Sequence, residues 1–136
     1  MTDERPYVAV GAIVIHDDAL LMIRRAQDPG RGLWSIPGGR VEHGEYISDA
    51  LRREVNEETG LEVDVGPLVG ILEVVGEPHY VIHDYACTLT SDATPTAGDD
   101  VDEVRWVPLD DVHTLDCTPR FVETMRAWGV LTAPST

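Results

Sequence analysis

The chain has 136 residues, 43% of them hydrophobic, and a net charge of −15. That length suits one domain, spanning 1–136, with a sizeable core. The charge makes an average surface field that repels DNA, RNA and anionic lipid, so neither a nucleic-acid nor a membrane partner is expected. All ten basic residues are arginine, a bias that fits a GC-rich genome or a high-salt cytoplasm equally well.

The N-terminus, "MTDERPY", is acidic and polar, and the apolar run after it is too short to cross a bilayer and lacks a cationic leader, so a cytoplasmic protein is expected. Residues 7–15, "YVAVGAIVI", and 19–24, "ALLMIR", read as adjacent strands joined at the turn signal "HDD". The segment "AQDPGRGLWSIPGG" is dense in Gly and Pro and reads as a loop. A helix is predicted from about 45 to 59, stopped by Gly60 at its C-cap. Two strands follow, "LEVDVGPLVGILEVV" and "HYVIHDYACTL", with breaks expected at Gly66-Pro67 and Gly76. The second strand is apolar on both faces, which suits a central position. "TSDATPTAGDD" reads as a surface loop, "VDEVRWVPL" as a strand, and about 119–128 as a last helix with Pro119 in its first turn. Cys87 and Cys117 form neither a disulfide framework nor a CxxC site and are expected to be reduced, buried thiols.

The predicted helix 45–59 carries the chemistry. Taking about 100° per residue with Ile47 at zero, Ala50 falls at about 300°, Leu51 at about 40° and Val55 at about 80°, a stripe for the core. Glu58, Glu54 and Glu57 lie at about 20°, 340° and 280° and so continue that buried stripe. Ser48, Asp49, Arg52, Asn56 and Thr59 fill the outward face. Exposed like-charge pairs cost only about 0.2–0.5 kcal/mol each. Partly shielded carboxylates ~6 Å apart, at an effective dielectric of ~20, cost nearer 3 kcal/mol. Their position at the C-terminal end also opposes the helix dipole, and Arg53 alone cannot neutralise three of them. Mg²⁺ or Mn²⁺ can, because hard cations take oxygen ligands. A cation between protein and ligand would also let an acidic protein hold a polyphosphate.

The stretch Gly39 to Leu61 fits the pattern Gx5Ex7REUxEExGU through Gly39, Glu45, Arg53, Glu54, Val55, Glu57, Glu58, Gly60 and Leu61. A chance match has a frequency of roughly 10⁻⁹ per starting position. The pattern resembles the Nudix box, and "WSIPGG" before it and "VRWVPLDDV" after it resemble the family's flanks. The resemblance implies an α+β fold, an α/β/α sandwich with a mixed central sheet. It also implies Mg²⁺- or Mn²⁺-dependent cleavage within the pyrophosphate of a nucleoside diphosphate derivative. Glu54, Glu57, Glu58 and the Gly38 carbonyl would hold the metal, Arg53 would fix the glutamates, and Glu45 would contact Arg53 or the metal shell. The general base varies in the family, which leaves Glu54, Asp99, Asp100 and Glu103 as candidates.

For the substrate, Arg24, Arg25, Arg40 and Asp100 are the expected contacts. Arg24 and Arg25 are consecutive, so strand alternation turns at most one of them to the cleft. Trp34, Tyr80 and Tyr85 are either base-stacking or core residues. His79 and His83 share a strand face but are not expected to bind metal. Pro78 stands near a proline of relatives that prefer ADP-ribose, which favours ADP-ribose or a nucleoside diphosphate sugar over the alternative, a nucleoside triphosphate. A monomer or homodimer suits either. The rival from another class, a non-catalytic nucleotide-sensing module, commonly loses box glutamates, whereas all three stand here.

Overall fold

The structure, a computed structural model, describes residues 5–132; the first four residues of the acidic N-terminus lie outside it. Strands β1 (Tyr7–His16) and β2 (Ala19–Arg25) form a hairpin whose turn places Asp17 and Asp18 at φ +50 and +59, as a tight two-residue connection requires. The short strands β3 (Trp34–Ser35) and β4 (Gly38–Arg40) follow, then helix α1 (Ile47–Thr59). After α1 come β5 (Val63–Val74), β6 (Tyr80–Leu89) and β7 (Val101–Pro108). A 3-10 turn (Leu109–Thr114) and the short helix α2 (Phe121–Ala127) complete the order.

The sheet is mixed. β1 runs parallel to β6 and antiparallel to β2 and β4, while β5 pairs with β6 and β7 with β2, both antiparallel. β1 is central, and both its faces are buried from Ala9 to Val14. Its even residues Val10, Ala12 and Val14 cluster with Ala50, Leu51 and Val55 of α1. Ile13 turns to the other face and clusters with Leu20, Met22, Phe121 and Met125. Strand alternation thus puts α1 on one face and α2 on the other, the three layers expected. Leu51 and Val55 are fully buried, each worth about 1.5–3 kcal/mol.

The predicted elements are present, with corrections: the last helix starts at Phe121, which leaves Pro119 outside its first turn, and the expected loop 26–39 contains β3 and the start of β4 because those residues pair with β2 and β1. β5 is not broken at Gly66-Pro67: the strand continues through register shifts on either side of Leu68, because bulges absorb the proline that cannot donate to the ladder. The expected central place of β6 is observed, between β1 and β5. α1 starts at Ile47 rather than 45, with Glu45 held in the preceding turn. Thr59, assigned to the outward face, is fully buried; the loop before β7 folds over it, and its hydroxyl donates to the Val55 carbonyl at 2.6 Å. No helix among the described residues is long and apolar enough to cross a membrane.

Candidate active site

α1 meets β4 at two glycines. A Cβ on Gly39 would stand 2.6–2.7 Å from the Glu54 carboxylate, and one on Gly38 would strike the Val10 carbonyl at 2.1 Å. Only bare backbone lets the helix carboxylates lie against this strand. The Gly38 N–H donates to Glu58 Oε1 at 2.8 Å. Burial pushes the Glu58 carboxyl up to about 8; the Gly38 N–H opposes the shift, Glu54 adds to it by repulsion, and Arg25 counters it. Burial also raises Glu54, against the pull of Arg53.

Arg53 gathers the remaining acids. Its Nε donates to Glu45 at 2.8 Å, one terminal nitrogen to Glu54 at 2.8 Å and Glu57 at 3.3 Å, and the other to Glu45 at 3.0 Å and the Arg40 carbonyl at 3.2 Å. This fork holds the Glu45 carboxyl down at about 2 and raises the Arg53 guanidinium further above its ordinary range, chiefly through the bonds to Glu45. Glu54 is 15% exposed and Glu57 57%. The helical wheel therefore describes Glu54 and Glu58 well, and sets Glu57 at the rim.

The donor set suits a hard divalent cation. Glu58 is a shielded carboxylate that accepts from the Gly38 amide, Glu54 lies in the Gly39 cradle, and Glu57 is exposed. In the arrangement observed, Glu54 and Glu57 are turned to Arg53. No three His, Cys, Asp or Glu groups converge as a ready cation site among the described residues.

The other expected residues divide. Arg25 is the arginine whose charge reaches Glu58, and its Nε is held by the Pro29 carbonyl at 2.7 Å. Arg24 points to the opposite face, 6.0 Å from the Trp34 ring centroid and 3.7 Å from Glu103. Glu103 pairs across the strands with Arg24 and binds Arg105 at 2.6 Å, so it stands on the α2 face and is not brought to the α1 carboxylates. Asp100 accepts from Gln27 Nε2 at 2.5 Å, and Asp99 is exposed beside it. Arg40 lies 4.4 Å over the Tyr7 ring. Trp34 is buried in the core, Tyr80 packs on Tyr7, and Tyr85 packs against the α1 cluster. Sequence reasoning missed Gln27, Gly98 and the buried Asp84; an acid inside the apolar run "VIHDYAC" was the signal for the last.

The chain matches the NUDIX domain over residues 5–128. It is 32% identical over 122 residues to the oxidized purine nucleoside triphosphate hydrolase of Mus musculus, covering 88% of this chain and 76% of that protein. It is 44% identical over 66 residues to an ADP-ribose pyrophosphatase of Methanocaldococcus jannaschii, covering 48% of this chain and 39% of that one. Of four curated relatives, the Methanocaldococcus jannaschii protein among them, the chain spans less than two thirds of the length, from 21% to 62%. A MutT protein of Methanosarcina mazei Go1 shares the fold at a TM-score of 0.80 and 21% identity, covering 95% of this chain and 97% of that one. The chain therefore belongs to the Nudix family.

Proposed function

We propose that this protein hydrolyses the pyrophosphate bridge of a nucleoside diphosphate joined to a second group, with ADP-ribose the first candidate, in a reaction needing Mg²⁺ or Mn²⁺. The observation that carries the reading is Glu58, a shielded carboxylate that accepts from the Gly38 amide, beside Glu54 in its glycine cradle at the end of a core-packed helix. Glu54, Glu57, Glu58 and the Gly38 carbonyl would hold the cation. Bound there, it would neutralise phosphate charge and lower the pKa of a water.

The chain's own groups supply the rest. Arg25, whose charge reaches Glu58, would meet a phosphate. Glu54 would take the proton from water as its oxygen attacks phosphorus. Arg53 fixes Glu54, and its charge stays balanced by Glu45 when Glu54 takes the proton. The bridging P–O bond breaks and its electrons leave with the second phosphate, giving two phosphate monoesters. Glu103 is occupied by two arginines on the far face, which disfavours it as the base.

A nucleoside triphosphate is the second reading, favoured by the 122-residue match to a triphosphate hydrolase, much the longer of the two. The deciding experiment is a panel of ADP-ribose, nucleoside diphosphate sugars and triphosphates, including oxidised purines, with Mg²⁺ and with Mn²⁺. AMP and ribose 5-phosphate from ADP-ribose support the first reading; nucleoside monophosphate and pyrophosphate from a triphosphate support the second. No turnover of any member with either ion rejects both.

A further inference from the structure

Two of the three site glutamates, Glu57 and Glu58, lie in the last turn of α1, where carbonyls lack helical partners and negative side chains oppose the dipole. Left alone, such an end frays. Here the loop before β7 closes on it. The Thr96 N–H donates to the Thr59 carbonyl at 2.8 Å and the Gly98 N–H to the Glu58 carbonyl at 3.1 Å, beside the helix's own cap, the Gly60 N–H to the Asn56 carbonyl at 2.9 Å. Gly98 is pressed so closely to the helix that a Cβ there would stand 1.7 Å from the Glu57 carbonyl oxygen. Its φ is not positive, so the need for glycine is one of space alone.

The same loop then grips the substrate side. The Asp100 carbonyl accepts from the Ala26 N–H at 3.2 Å, and its carboxylate accepts from Gln27 Nε2 at 2.5 Å. Val101 pairs with Arg25. A few residues thus join the carboxylate-bearing end of α1 to the end of β2 that carries Arg25.

We propose that residues 96–101 are a clasp with Gly98 as its positioning residue. It fixes the last turn of α1, and the spacing between Glu57, Glu58 and Arg25, so that cation and phosphate are bound together. The proposal rests on the metal-dependent reading above.

The test uses the full chain and Mn²⁺ alone, followed by electron paramagnetic resonance without substrate, for wild type, Gly98→Ala, Gln27→Ala and the control Gly76→Ala. Nothing lies within 4 Å of a Cβ at Gly76. A displaced supporting contact typically costs about 10–100-fold in metal affinity. Gly98→Ala is expected to bind Mn²⁺ at least about tenfold more weakly, Gln27→Ala several-fold more weakly, and Gly76→Ala like wild type. Amide exchange should show Thr96 and Gly98 protected in wild type and open in Gly98→Ala. With the active substrate, Gln27→Ala should raise KM more than it lowers kcat, which a loss of stability alone would not do. Wild-type Mn²⁺ affinity in folded Gly98→Ala overturns the clasp; if that variant does not fold, wild-type affinity and KM in Gln27→Ala overturn it. Wild-type protein that binds no Mn²⁺ rejects the metal reading and the clasp with it.

Discussion

Replacing Glu58 by glutamine should stabilise the metal-free protein at alkaline pH while removing its response to metal. Burial raises this carboxyl from 4.5 to about 8. At about 1.4 kcal/mol per tenfold change, the ionised form is disfavoured by about 5 kcal/mol. Glutamine still accepts the Gly38 N–H, though the bond to a neutral acceptor is weaker by about 1 kcal/mol. The net gain above pH 8 is therefore about 2–4 kcal/mol, or about 10 °C in melting temperature for a domain of this size. Because the folded pKa lies above the unfolded one, the wild-type penalty is absent below about pH 4 and grows until pH passes 8. The assay is thermal denaturation of both proteins in chelator from pH 5 to 9, repeated with saturating Mn²⁺. In chelator the variant should pull ahead as pH rises. With Mn²⁺ at about 100 times its dissociation constant, wild type should gain about 2.7 kcal/mol and the variant little. Equal stability at pH 9 in chelator, or equal gains with Mn²⁺, would refute the electrostatic reasoning.

Three other outcomes are expected. Arg53→Lys replaces a fork that holds Glu45, Glu54, Glu57 and a carbonyl with a point charge; kcat should fall by about 10–100-fold, and a near-normal kcat would deny the positioning role. Arg25→Ala should raise KM for the active substrate well above any change in Arg24→Ala, since only Arg25 faces Glu58; steady-state kinetics of the pair decides it. Asp84 is 4% exposed, its Oδ1 has no hydrogen-bond partner, and burial pushes its carboxyl up to about 7. Asp84→Asn should therefore relieve a penalty of up to about 4 kcal/mol that develops as pH rises from 4 to 7. Urea denaturation in chelator at pH 5 and pH 8 measures it, and a gain over wild type that is the same at both would count against it.

The features that local pattern dictates were legible in the sequence: the α1 stripe, the Gly60 cap, the "HDD" turn and the central place of β6. Glu54, Glu57 and Glu58 stood out because they continue the core stripe of α1, whereas Gly39 and Glu45, outside that helix, were recognised only through the resemblance to the Nudix box. What the sequence did not disclose arises between distant segments. Nothing in "TSDATPTAGDD" signals that Gly98 abuts the Glu57 carbonyl or that Thr59 is covered, since both depend on a loop some 40 residues downstream folding back. Arg24 and Arg25 could be set on opposite faces by alternation, but which one met the glutamates was decided by the orientation of β2 in the sheet. Glu103 looked available in a loop of acids; its strand register hands it to Arg24 and Arg105 instead.

The central claim is that the α1 carboxylates share a cation with a phosphate. Its most direct test is the electron paramagnetic resonance linewidth of protein-bound Mn²⁺ with ADP carrying ¹⁷O on its phosphates. Broadening relative to unlabelled ADP in wild type, lost in Glu57→Gln and Glu58→Gln, is the predicted result. Linewidths unchanged by the label in wild type, or broadened equally in the variants, would contradict it.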